Sequence, residues 1–137
     1  MNKRQNEESE SIVIDPDAMN IVNRVAPGSR SVGEVHYVGG VLVEGIIDGA
    51  VHVTGGPIVL MPGGAIRGTV KGDGDAFLAG TIEYREGEVL SEVVVQGTVY
   101  IVETLVAMAN ITAGAFKTYH GARVEGHIRS LGLGSPQ

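Results

Sequence analysis

The sequence contains no cysteine and no tryptophan, only two Phe and four Tyr, and not one glycine before position 28. Without cysteine there is neither a disulfide framework nor a thiolate metal site, which fits a reducing compartment. Scarce aromatics leave an aliphatic core as the one available. No apolar run approaches the roughly 18 residues of a membrane-spanning helix. Residues 1–14 show no signal-peptide core after Lys3 and Arg4, so a cytoplasmic protein is expected. Basic residues are also outnumbered, 10 against 16 acidic ones for a formal net charge of −6, and that balance argues against a nucleic-acid partner. The dipeptide Gly-Lys is absent, which removes a phosphate loop. No cofactor is expected.

What is abundant is glycine, 21 of 137 residues, about twice the average usage of roughly 7%. The length suits one domain plus tails. Glycine sits inside short aliphatic segments such as "VLVEGII" (41–47), "AIRGTV" (65–70), "FLAGTI" (77–82), "VVVQGTV" (93–99) and "ARVEGHI" (122–128). Read as strands, these place the aliphatic residue, the glycine and the following Val or Ile on one face. Glu44, Arg67, Thr69, Thr81, Gln96, Thr98, Glu125 and His127 then fall on the other. One face is buried and one is wet.

Gly63, Gly80, Gly97 and Gly114 recur 17 residues apart, and self-similarity at a short period marks a solenoid. A coil of that length fits three short strands and tight corners. The expected fold is therefore all-β, a triangular parallel β-helix whose coils stack about 4.8 Å apart. Residues 35–130 supply about five to six such coils. Gly45, Gly63, Gly68, Gly80, Gly97, Gly114 and Gly126 read as the structural glycines of the coils, turned inward where a narrow triangle brings backbones together. The glycine-free "TVYIVETLVAMANITA" (98–113) is rich in β-branched residues and reads as two strands with a corner near Glu103–Thr104.

The organisation this predicts is a flexible N-terminal tail over 1–32, a β-helix over 33–131 and a short C-terminal tail over 132–137. The opening run "NKRQNEESES" cannot bury enough apolar surface to offset its ordering entropy. Within the tail, Asp17 is a candidate cap for a short helix over 17–25 ended by Pro27-Gly28, with a flexible linker as an equal alternative. Neither end of the β-helix shows an evident cap, although solenoids need one to stay monomeric. We therefore expect end-to-end stacking, with Val41, Val43, Ile46 and Ile47 on the N-terminal coil and Phe116, Val124, Ile128 and Leu131 on the C-terminal coil. Stacking of that kind yields an open filament when it does not close into a ring.

The segments "GGVLVEGIIDGAVHV", "GGAIRGTVKG", "AGTIEY", "VVVQGTV" and "GARVEGHI" resemble the bactofilins, bacterial polymer-forming cytoskeletal proteins, over roughly residues 33–131. The resemblance implies a right-handed parallel β-helix with flexible tails. It further implies a nucleotide-independent homopolymer, a scaffold near the inner membrane surface that localises partners such as cell-wall proteins. In such proteins an N-terminal tail can carry membrane association.

Two other classes compete with a scaffold. Hexapeptide-repeat left-handed β-helices include acyltransferases with a catalytic His and zinc-dependent carbonic anhydrases, and this chain has His36, His52, His120 and His127. A metal site needs ligands converging from adjacent coils or subunits. His52 and His127 fall at outward positions and His120 at a corner. The period of 17 also departs from a strict 18 made of hexads, so these read as surface histidines and no catalytic or metal residue is assigned. The third reading is a monomeric adaptor whose 17–25 segment caps the first coil. "GDGDAF" (72–77) has Phe77 where a dinucleotide fingerprint needs its third glycine. Its Asp73-Gly74-Asp75 offers too few oxygens for calcium and reads as a solvated acidic corner.

Overall fold

The computed structural model describes Ile14 and residues 17–83, 91–119 and 121–130. Over these residues every regular element is a short strand, and the strands wind into six coils with three faces. The first face stacks β1 (Ile21–Val25), β4 (Gly40–Val43), β7 (Ile58–Leu60), β10 (Ala76–Leu78), β13 (Thr98–Ile101) and β15 (Ala115–Thr118). The second stacks β2 (Arg30–Val32), β5 (Ile46–Asp48), β8 (Ala65–Arg67), β11 (Thr81–Glu83), the start of β14 (Val106–Ala113) and β16 (Arg123–Glu125). The third stacks β3 (Val35–Val38), β6 (Val51–Thr54), β9 (Val70–Gly72), β12 (Ser91–Val95), the end of β14 and β17 (Ile128–Ser130). All pairings are parallel, as expected of a β-helix.

Register builds the core as columns of like side chains. Val41, Ile58, Ala76 and Val99 follow one another down the first face. Ile47, Ile66, Ile82 and Ala107 do so on the second, and Val51, Val70, Val93 and Ile111 on the third. All are buried. Each fully buried Val, Ile or Leu contributes about 1.5–3 kcal/mol, so the stack replaces the aromatic core that the composition excludes. The one buried polar residue among those described, Ser91, donates from Oγ to the carbonyl of Glu83 at 2.5 Å.

The glycines occupy corners, and the segments read as single strands are strand, corner and strand. Gly45 and Gly80 turn from the first face to the second, Gly68 and Gly126 from the second to the third, and Gly97 and Gly114 from the third back to the first. Gly63 is exposed, in the turn before β8. The 17-residue ladder is thus not one column. Ala76 pairs with Val99, 23 residues on, whereas Val99 pairs with Phe116, 17 residues on, so a step of 17 from Gly80 falls one corner short of a full coil at Gly97. The need for glycine is plain at Gly68, where φ is 148° and a Cβ would collide with the Gly49 carbonyl.

The 98–113 stretch forms two strands as expected, β13 and β14 around a turn at Glu103–Thr104. β14 runs unbroken through the next corner. Its first half pairs with β11 and β16 and its second with β12 and β17, which joins two faces into one eleven-stranded sheet.

The segment 17–25 is not a helix. Residues 17–20 form a turn, with the Asn20 N–H donating to the Asp17 carbonyl at 3.3 Å and Asn20 at φ 59°, and β1 then pairs with β4. A helix so short is marginal in isolation. The strand instead buries Val25 in the core and sets Arg24 outward, where Nε meets Glu44 at 2.6 Å. The first coil therefore begins at Ile21 rather than near residue 33. Of the N-terminal tail expected over 1–32, residues 1–13, 15 and 16 lie outside the described residues, as does the whole C-terminal tail expected over 132–137.

Candidate functional site

The solenoid has a strand edge at each of its two ends. Among the described residues, β1, β2 and β3 each pair with one neighbour, in the second coil, and β15, β16 and β17 each pair with one, in the fifth. Their far sides have no ladder partner among the described residues, and an edge of that kind is a template for a strand of another chain. The centre of each end is apolar. Val35 and Tyr37 at the first coil, and Phe116, Ala122 and Val124 at the last, are partly buried and packed against the core. Ile128 continues the buried column of Ile111 and is 45% exposed.

The ends differ in polar detail. Asn23 occupies an inward column above Val41, and its Nδ2 donates to the carbonyls of Val38 at 3.0 Å and Gly40 at 3.2 Å. The first coil also holds three of the most exposed large apolar side chains, Val22, Val32 and Val38, at 68–81%.

Phe116, Val124 and Ile128 stand on the terminal coil assigned to them, and Leu131 lies outside the described residues. Val41, Val43, Ile46 and Ile47 do not stand on the other end. They belong to the second coil, between β1 and β2 on one side and β7 and β8 on the other, and Val41, Val43 and Ile47 are fully buried. The first coil was hidden because its strands carry Asn23, Arg24, Arg30 and Ser31 and lack the Gly-x-Val mark of later coils. The alternation of Asn23, Arg24 and Val25 was the available signal.

The acidic corner has a structural role. Asp73 Oδ1 accepts from the Gly55 N–H at 3.0 Å in the coil before it, and Asp75 Oδ1 accepts from the Thr98 N–H at 2.9 Å in the coil after. Two carboxylates thus stitch three coils where the turn leaves amides unpaired. On the second face an ion-pair ladder joins Arg30 to Asp48 at 3.0 Å and Arg67 to Glu83 at 2.8 Å, with Arg67 Nη1 4.0 Å from Asp48. On the first face Phe77 and Tyr100 stack outward, ring centroids 4.4 Å apart. His127 is exposed on the last coil, its N–H donating to Asn110 Oδ1 at 2.8 Å. His36 and His52 stack on the third face with centroids 4.5 Å apart, and His120 lies outside the described residues.

A ladder of short parallel strands wound in coils around an aliphatic centre defines a class, the parallel β-solenoids. The family model for bactofilin, described as polymer-forming cytoskeletal, matches residues 23–129, and the chain belongs to that family. The matched span begins inside β1 and ends inside β17, so it takes in all six coils. No curated protein and no solved structure matches the chain significantly. The protein is a member of a structural, polymer-forming family.

Proposed function

We propose that the protein is a non-enzymatic scaffold whose subunits stack end to end, without nucleotide, into filaments that localise other proteins. The observation that carries this reading is the pairing at each terminus of an unpaired strand edge with a partly buried apolar centre, Val35 and Tyr37 at one end and Phe116 and Val124 at the other. Stacking the last coil of one subunit on the first of another continues the ladder at the same spacing and covers Ile128. In this reading the lateral faces and the tails remain free for partners, including the inner membrane surface and cell-wall proteins, and the compartment is the cytoplasm.

Negative-stain microscopy of the purified full chain in nucleotide-free buffer tests the proposal. Filaments are the expected result. A discrete trimer or monomer at every concentration would overturn it, the trimer favouring the hexapeptide-type enzyme and the monomer the capped adaptor.

A further inference from the structure

We propose that Glu34, His36 and His52 form a binding site for a divalent transition-metal ion, zinc above all, that clamps the first coil onto the second. His36 and His52 are register partners on the adjacent strands β3 and β6, so the ladder holds their Cα atoms side by side. The two rings lie parallel within 7°. Both Nε2 atoms approach the same oxygen, Glu34 Oε2, at 3.4 Å from His36 and 3.0 Å from His52. Glu34 is fixed from both sides, because the Gly33 N–H donates to Asp48 O and the Val35 N–H to Ala50 O, each at 2.9 Å. Among the described residues this is the one group of three or more His and carboxylate side chains whose ligand atoms all lie within 4.8 Å of one another.

The donor set fits the ion. Imidazole nitrogen and carboxylate oxygen bind zinc at about 2.0–2.2 Å, which places neighbouring ligands of a tetrahedral ion about 3.3 Å apart. The two carboxylate–imidazole separations, 3.4 and 3.0 Å, lie on either side of that value. The gap between the two rings must close for both to reach one ion, and His36 has the freer side chain, 67% exposed against 30% for His52. Three protein ligands leave a fourth position for water. Nitrogen donors favour zinc, nickel and copper over calcium and magnesium, which take oxygen. Lys71 follows His52 in the same outward column and is exposed. Its positive charge opposes a cation at His52 and limits the affinity. The clamp stands independently of filament assembly, since all three ligands belong to one chain.

Isothermal titration of the full chain, stripped with chelator, with zinc chloride tests the site. One zinc per chain is expected, unaffected by excess calcium. His52→Gln should weaken binding by at least about 10-fold, since loss of even an outer-shell partner typically costs 10–100-fold. Lys71→Gln should tighten it. Amide exchange over residues 21–38 should slow with zinc in the unsubstituted chain. If His52→Gln disturbs the fold by circular dichroism, the more exposed His36→Gln serves the same comparison. Absence of saturable zinc binding, or undiminished binding when Glu34, His36 and His52 are all replaced by Gln, would overturn the assignment.

Discussion

At the first coil the inward columns hold Asn23, Val25, Ser31, Val35 and Tyr37, while at the last they hold Phe116, Thr118, Val124, Ile128 and Ser130. Both ends offer the same open backbone, and any parallel strand would suit either. Their centres are unequal. At the first, an amide spans carbonyls of its own coil and the next, and a phenol supplies much of the apolar surface; at the last, Phe, Val and Ile stand together with Ile128 half exposed. In the proposed stack, the difference teaches that strand edges would set direction and spacing, whereas the apolar centre would supply the non-directional attraction.

The largest expected effect separates both ends from the interior. Val43→Asp places a charge in the fully buried second coil, at a cost of several kcal/mol. We expect loss of the β signal by circular dichroism, in contrast to any end variant. Next, Ile128→Arg should keep that signal and abolish filaments, since an unpaired charge would be sealed into every subunit contact; several kcal/mol is a factor of more than about 100 in the concentration needed to assemble. Sedimentation at graded concentrations measures it. Val35→Arg, the counterpart at the first coil, should also impair pelleting, by less than Ile128→Arg. Equal impairment would erase the comparison between the ends, and unimpaired assembly would remove the first coil from the interface.

Smaller effects concern the devices that hold the coils. Asn23→Ala removes side-chain hydrogen bonds to two or three carbonyls and should lower stability by about 1 kcal/mol. The signature is faster amide exchange in β1, with β15 unchanged. Arg67→Ala breaks an ion-pair ladder that is more than a third exposed and should cost less than about 1 kcal/mol, diminishing with salt. Thermal melts at low and high salt decide this.

Much of the architecture was legible because a coil repeats a burial pattern. Alternating Val and Ile, glycine at the bends and β-branched residues over 98–113 mark strands by their sterics alone. What was not legible depended on which residues share a corner. Counting 17 from Gly80 to Gly97 assumed equal coils, and one longer connection put those glycines on different edges. The first coil was missed because terminal strands have one neighbour and tolerate an inward Asn23 where a middle strand would not. The nearness of Glu34, His36 and His52 was missed for the converse reason. His36 and His52 look unrelated along the chain, yet their separation is close to one coil, and that near-coincidence was the signal that they are neighbours.

The connection between β11 and β12 has a practical consequence. On its two sides β11 still pairs with β8 and β14, and β12 with β9 and β14, with no break in register. Axial length in such a molecule is counted in turns, about 4.8 Å each, not in amino acids. Residues inserted between two such strands therefore do not by themselves add a turn. In the proposed filament, a fluorescent reporter spliced between β11 and β12 would leave the repeat distance unchanged and so give a handle for imaging it.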